Sequence, residues 1–415
     1  LNNPKLTDAQ KADLLTNSWR VTYKEKPPTP AEFLEPKYLG SMSESVWPRV
    51  KEAFLEFWDE DAPYRHAVLY PHIGWGKSLI NSCIVRTYDG KGISIGEIKV
   101  GTKVATPDGS FSKVLGVYPQ GKTSMYKITF SDGRNVWASG DHLWKAAKSY
   151  NTKKWDPQLK KYVKTEYPEP CWKTLTTEEI EKVPARWFIP VTKAIDHKSI
   201  PHKIPSYTFG AFLGDGFTTK GTLSVCGDDS YIHERLLKEA NVEAYTKEMN
   251  EKASVDFITY FLGGKSFGYI KELKRMGLEE SRSSTKFIPD EYLYDSLENR
   301  IALLQGLMDT DGTVNKKPGG EVHLQFYTTS PKLRDGFLTL IRGLGCIARF
   351  HVDNHHKNQK HEGYVIYFTL ADSSIKVFGL ARKQALVEAA SCRERTKRKP
   401  QYLYISSIER AEDAE

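Results

Sequence analysis

The sequence predicts a multi-domain chain: a short α/β segment at the N-terminus, a compact all-β domain, and an α+β module made of two similar halves. Three observations predict it. An apolar stretch ending in an acid and a glycine occurs twice, as Gly210-Ala-Phe-Leu-Gly-Asp215-Gly216 and as Gly306-Leu-Met-Asp-Thr-Asp311-Gly312. Short alternating segments punctuated by Asp-Gly pairs begin at Cys83, the pattern of hairpin strands. Further upstream a short apolar run leads into Gly76-Lys77-Ser78. With 415 residues and 39% hydrophobic content, the chain can bury more than one core.

In the first segment, Ala67-Val-Leu-Tyr70 reads as a buried strand followed by Pro71-His-Ile-Gly-Trp-Gly76-Lys77-Ser78. A strand entering Gly-Lys-Ser is the skeleton of a phosphate-binding loop. Backbone N–H groups cradle the phosphates, Lys77 reaches the terminal ones, and Ser78 is placed to ligand Mg²⁺. Pro71 stands where the first glycine of that motif is usual. Together with Lys26-Pro-Pro-Thr-Pro-Ala-Glu-Phe33 and Pro36-Lys-Tyr-Leu-Gly40, the segment resembles the start of a phage terminase large subunit, the ATPase of viral DNA packaging. The resemblance covers 1–82 and implies ATP-Mg binding only in a complete host ATPase.

The character changes at Cys83. Cys83 to Thr87, Gly92 to Ile98, Gly101 to Thr106, Tyr126 to Phe130 and Val136 to Trp144 read as strands, with turns at Asp89-Gly90, Asp108-Gly109 and Asp132-Gly133. A Cys at the start of such a domain and a His about sixty residues later, in Ser139-Gly-Asp-His142, resemble the horseshoe-like Hint fold of inteins. The resemblance implies that Cys83 attacks the Ser82 carbonyl in an N-to-S acyl shift, that His142 protonates the scissile nitrogen, and that Ser139 helps. It places this domain at 83–190, with a lysine-rich insertion at 145–170 suited to phosphate contacts.

Each copy of the repeated motif closes an apolar run with an aspartate, which is an unfavourable place for a carboxylate because a helix C-terminus carries partial negative charge. Two helices packed through their glycine faces would bring Asp215 and Asp311 within a few ångströms of each other. Carboxylates that close call for a divalent cation, most plausibly Mg²⁺. An ordinary helix end with an Asp-Gly turn accounts for one copy, but it does not explain two. The segments downstream of each motif repeat as well: a strand near Thr222 to Cys226, a helix from Ser230 to Ala240 and a β-rich Val255 to Leu262, then Val322 to Thr328, Ser330 to Leu344, Ile347 to Val352 and Tyr364 to Leu370. Each half therefore reads helix, strand, helix, strand, strand.

From Ile204 to Lys383 the doubled pattern resembles the LAGLIDADG homing endonucleases. The resemblance implies two αββαββ-type halves related by a pseudo-twofold, forming a saddle over double-stranded DNA, and hydrolysis of both strands. Asp215 and Asp311 would hold the metal, and a lysine beside each would assist. Lys286 lies 71 residues after Asp215 and Lys383 lies 72 after Asp311. Because both motifs are in one chain, a monomer is expected. The first motif has Leu213 where the second has Asp309, so the halves are not chemically equivalent. A DNA-binding scaffold that no longer cuts is the alternative reading.

The net charge is +8, yet residues 1–82 carry 10 Lys and Arg against 11 Asp and Glu. The basic surplus therefore lies beyond residue 82, and nucleic acid is its natural partner. No apolar run reaches membrane-spanning length. The five cysteines have neither metal-ligand nor disulfide spacing. An intracellular setting is expected, in the cytoplasm of a virus-infected or prophage-bearing cell. The endonuclease is expected over 191–392, and 393–415 reads as a linker and the start of a returning strand. On the intein resemblance, a chain ending at Glu415 lacks the C-terminal His-Asn splice junction.

Overall fold

The computed structural model describes Leu79 and residues 82–117, 123–149, 153–158, 160–164, 170–219, 222–227, 230–240, 258–262, 268–316, 322–353, 361–370, 372, 374–392 and 402–410. Gly76, Lys77 and Ser78, and with them the phosphate-loop reading, lie outside the described residues.

The β-rich part opens with two small hairpins, β1 (Ile84–Arg86) with β2 (Gly92–Ser94), and β3 (Lys103–Ala105) with β4 (Phe111–Lys113). It continues with β5 (Met125–Phe130), β6 (Asn135–Ser139), β7 (Leu143–Lys148), β8 (Lys153–Asp156), β9 (Lys161–Lys164), β10 (Lys173–Thr176), α1 (Thr177–Lys182) and β11 (Trp187–Pro190). Gly90, Gly109 and Gly133 have φ of +80°, +87° and +84°. Each expected Asp-Gly turn thus uses the left-handed backbone that glycine adopts without steric cost.

Two strands differ from the sequence reading. The run from Gly92 to Ile98 is a strand only to Ser94 and then tightens into a 3₁₀ turn at Ile95–Glu97. The run from Val136 to Trp144 is two strands, because the chain turns at Gly140 and Asp141. His142 N donates to Ser139 O at 3.2 Å, and the N-terminus of α1 crosses the turn, with Glu178 N donating to Gly140 O at 3.1 Å. His142 therefore sits beside a turn and not within a strand.

The α+β module comes next in the chain. Its first half contains α2 (Ser206–Asp215), β12 (Gly216–Thr219), β13 (Thr222–Gly227), α3 (Ser230–Ala240), β14 (Ile258–Leu262), α4 (Tyr269–Arg275) and the single turn α5 (Asp290–Leu293). Its second half contains α6 (Leu297–Asp311), β15 (Gly312–Lys316), β16 (Val322–Thr328), α7 (Pro331–Gly343), β17 (Ile347–Asp353), β18 (Gly363–Thr369) and α8 (Ala381–Cys392). A strand absent from the sequence reading, β12 or β15, starts directly after each motif. The cause is the glycine: Gly216 and Gly312 are extended, with φ of −91° and −88°. Each is glycine because a Cβ would overlap the carbonyl oxygen of Phe212 or Met308 in the helix just left. The chain leaves the helix straight into a hairpin instead of through an Asp-Gly turn.

The four-stranded sheet has the order β15-β16-β18-β17, and the three described strands of the first half have the order β12-β13-β14. One core unites the module. α2 is buried on every side except at its C-terminal end, and Phe326 stacks on Phe337 at 4.1 Å between ring centroids. Fully burying such side chains stabilises the fold by about 1.5–3 kcal/mol each. Ser330 caps α7, accepting from Leu333 N at 3.2 Å, with Pro331 in the first turn.

The last strand, β19 (Tyr402–Arg410), returns to the β-rich part. It completes a six-stranded sheet of order β10-β7-β11-β19-β5-β6. The α+β module is thus an insertion between β11 and the strand that pairs with it. Among the described residues, no helix is long and apolar enough to cross a membrane.

Candidate active site

α2 and α6 make the closest helix contact in the module, and small residues allow it. A Cβ on Gly306 would overlap Tyr207 O and come within 2.7 Å of Ala211 N, and a Cβ on Gly210 would overlap Leu303 O. At the C-terminal ends, a Cβ on Gly214 would overlap Thr310 Oγ1 and stand 3.4 Å from Asp311 Oδ2. Only a glycine at 214, next to Asp215, leaves room for the end of α6 that carries the other acid. Solvent reaches Asp215, and Asp311 is partly exposed.

The electrostatics derive from this crowding. Partial burial raises the Asp215 carboxyl above its ordinary range, opposed by the charges of Lys286 and Lys383. Burial and then the charge of Asp215 push Asp311 up to about 7, again opposed by both lysines. Among the described residues no group of three or more His, Cys, Asp or Glu could hold a metal. The site is a pair of hard oxygen donors whose repulsion a cation would relieve. Mg²⁺ fits such a set, because it is usually held by one or two carboxylates plus water and substrate phosphate.

The two lysines occupy matching positions. Lys286 Nζ donates to the carbonyls of Phe212, Gly214 and Gly216 at 2.9, 2.8 and 2.7 Å. Lys383 Nζ donates to those of Met308, Asp309 and Gly312 at 3.2, 3.0 and 2.8 Å. An ammonium has three donors, so three carbonyls at one helix end and its exit into the following strand engage each lysine fully. Its charge acts on the acids through space; a direct bond from Nζ to phosphate would require one of these bonds to break.

Asp309 points away from the acid pair. Its Oδ2 accepts from Tyr207 Oη at 2.8 Å, and its Oδ1 accepts from the N–H groups of Gly379 and Leu380 at 3.0 and 3.1 Å. Leu213, its counterpart in α2, is buried at 1% exposure. Sequence reasoning noted the inequivalence but missed this network. The available signal was Tyr207, a phenol on a helix rich in apolar residues, whose hydroxyl needs a partner when buried.

In the β-rich part, Ser139 is fully buried and its hydroxyl donates to the Asp141 carboxylate. His142 packs edge-on against Trp144 with centroids 4.8 Å apart, and its carbonyl accepts from Thr177 N at 3.0 Å. Trp144 Nε1 donates to Thr177 Oγ1 at 3.0 Å, and α1 begins with a capping box from Thr176 and Glu179. Cys83 comes just ahead of the β1–β2 hairpin, and its carbonyl accepts from Ile95 N at 2.8 Å. Burial raises its thiol above the ordinary range. Leu79 bridges antiparallel to Ala138, the neighbour of Ser139.

Residues 298–412 match the family described as a LAGLIDADG-like domain. A replicative DNA helicase DnaB of Mycobacterium intracellulare is 27% identical over 321 residues, which are 75% of this chain and 50% of the helicase. The chain thus spans about half the length of that curated relative. Among solved structures, the chain is similar to the homing endonuclease I-DmoI in complex with DNA and Ca, at 16% identity and a TM-score of 0.31, over 45% of this chain and 97% of that one. It is also similar to the gp41-1 intein, at 25% identity and a TM-score of 0.17, over 24% of this chain and 85% of that one. The family match begins in the first turn of α6 and runs through the second half of the module into β19.

Proposed function

We propose that the α+β module is a site-specific, Mg²⁺-dependent endonuclease that hydrolyses both strands of a DNA duplex. The observation that carries this reading is the junction of α2 and α6, which brings Asp215 and Asp311 close enough for their charges to interact, with a lysine on each helix end. Asp215 and Asp311 would hold the cation, which when bound would neutralise charge on the scissile phosphate. Lys286 and Lys383 keep the helix ends rigid and offset the charge of the acids. The basic surplus beyond residue 82 supports a polyanionic partner, bound by one chain that carries both motifs.

The reading as a scaffold that no longer cuts drew on Leu213. That support weakens, because Asp309 contacts Tyr207 and the start of α8, so a leucine at its counterpart removes no ligand from the acid pair. The test uses the uninterrupted duplex in which the codon for Ser82 is followed directly by the codon for the next residue of the host protein. Asp215→Asn and Asp311→Asn should each lower Mg²⁺-dependent cleavage by about 10²-fold or more while leaving duplex affinity intact. Equal cleavage by the double variant and the parent would sink the nuclease reading.

We further propose that the β-rich part is a Hint-type splicing domain interrupting a terminase-like host ATPase. Support comes from Cys83, the pinned Ser139–His142 turn and the return of β19 into the sheet. In the reaction, Cys83 Sγ attacks the Ser82 carbonyl carbon, the C–N bond to Cys83 breaks, and the released amine takes a proton with help from His142. Because burial keeps the thiol protonated, Cys83 must give up its proton as the bond forms. Hydroxylamine should therefore release residues 1–82, and Cys83→Ala should abolish the release; release that persists in that variant would overturn the assignment.

A further inference from the structure

Lys286 and Lys383 reach equivalent places by different supports. Lys286 lies in the loop before α5; its carbonyl accepts from Ser330 Oγ at 2.6 Å and its N–H donates to Arg282 O at 3.1 Å. Lys383 lies in the first turn of α8, its N–H donating to Leu380 O at 3.1 Å. Leu380 is the residue whose N–H Asp309 accepts. Asp309 is 3% exposed, and its side chain is a brace between α6 and the start of α8.

The brace extends into the other half. Tyr207, on α2, donates to Asp309, and the Arg235 guanidinium of α3 covers the Tyr207 ring at 3.8 Å. Arg235 is itself fixed by Glu239 and Gln305, both at 2.8 Å. A Cβ on Gly379 would stand 2.7 Å from Asp309 Oδ2 and 2.8 Å from Tyr231, so the segment before α8 is pressed between the two. Among the described residues of the first half no carboxylate takes the place of Asp309, because Leu213 stands there.

We propose that Asp309 is a positioning residue for Lys383: by holding the backbone at Gly379 and Leu380 it sets the first turn of α8, and so places the Lys383 ammonium on the end of α6 beside Asp311. The end of α2 has no such dependence, since Ser330 braces Lys286. The consequence for catalysis rests on the nuclease reading above; the structural claim does not. Loss of Asp309 should release Lys383 from the end of α6 and leave Lys286 on the end of α2.

The test is trace acetylation of the native, full chain with acetic anhydride, read by mass spectrometry at the peptides containing Lys383 and Lys286. Asp309→Leu, which copies Leu213, should raise labelling of Lys383 about tenfold or more, the scale set by losing hydrogen bonds to a charged group. Lys286 should stay at its parental level. Asp309→Asn keeps an acceptor for Gly379 and Leu380 and should bring Lys383 most of the way back. Should Asp309→Leu fail to fold, Tyr207→Phe removes only the bond to Oδ2 and should still raise Lys383 alone, by about two- to threefold. Unchanged labelling of Lys383, or an equal rise at both lysines, overturns the proposal. With a cleavable duplex, Asp309→Leu should accumulate nicked product at parental affinity, and equal slowing of both strands counts against the proposal. If the parent cuts neither strand, the nuclease reading fails and the labelling result still decides the role of Asp309.

Discussion

Asp311 is the most strained charge in the module, and its strain is measurable without DNA. Its carboxyl is pushed up to about 7 in the folded chain, against about 3.9 when unfolded. A carboxyl raised by folding favours the fold while it is protonated. Its contribution is complete below the unfolded value and is lost as pH rises through about 7. In chelator, the chain should therefore lose on the order of 2–4 kcal/mol from this group between pH 4 and 7. Asp311→Asn should flatten that loss in urea unfolding, and Mg²⁺ should restore stability above pH 7 in the parent alone. A pH profile identical in parent and Asp311→Asn would show that folding does not raise the Asp311 carboxyl. Residues of this kind were partly legible in the sequence. Asp215 and Asp311 stood out because an acid at a helix C-terminus is costly and here occurs twice. Lys286 and Lys383 stood out by matching offsets, which carry no information about geometry, so the capping of carbonyls was not foreseen. Asp309, Tyr207 and Arg235 were illegible as a network, since more than 70 residues separate Arg235 from Asp309 and no local pattern joins them.

At the scale of elements, the glycines of the motif divide by what they touch. Gly306 faces backbone, with Tyr207 O and Ala211 N on one side and Gly210 at 3.0 Å, so an added methyl has nothing soft to displace. Gly306→Ala should cost about 3 kcal/mol or more in unfolding free energy. Gly336, midway along α7, faces only the Ile288 side chain, at 3.2 Å. There the better helix propensity of alanine, about 1 kcal/mol, offsets the crowding, so Gly336→Ala should be close to neutral. Equal effects in urea titrations of the two variants would mean that the α2–α6 contact is looser than its geometry. The same contrast explains which elements the sequence disclosed. Apolar runs such as Val322 to Thr328 alternate cleanly and were found where they were expected. β12 and β15 were missed because an Asp-Gly pair after a helix reads as a turn, and only the overlap with Phe212 O and Met308 O explains why these glycines are extended.

At the scale of the molecule, β19 decides whether the β-rich part holds together. It pairs with β11 through Phe188–Tyr404 and with β5 from Ile405–Phe130 to Arg410–Tyr126. Among the described strands no other joins β10-β7-β11 to β5-β6. The flanks are apolar as well: Leu403 is buried with Tyr126, Ile128 and Phe130, and Tyr402 stacks on Phe188 at 4.4 Å. Removing residues 402–410 would split the sheet and leave two unpaired edges, each a row of unsatisfied backbone groups. The α+β module keeps its own core, whose buried members all lie between Ile204 and Val387. In hydrogen exchange, the truncated chain should lose protection at β5, β6, β7 and β11 and keep it at α2, α6 and α7. Full protection of β5 without β19 would show that the two halves of the sheet stand independently. Loss of protection throughout would show that the inserted module depends on the sheet that carries it.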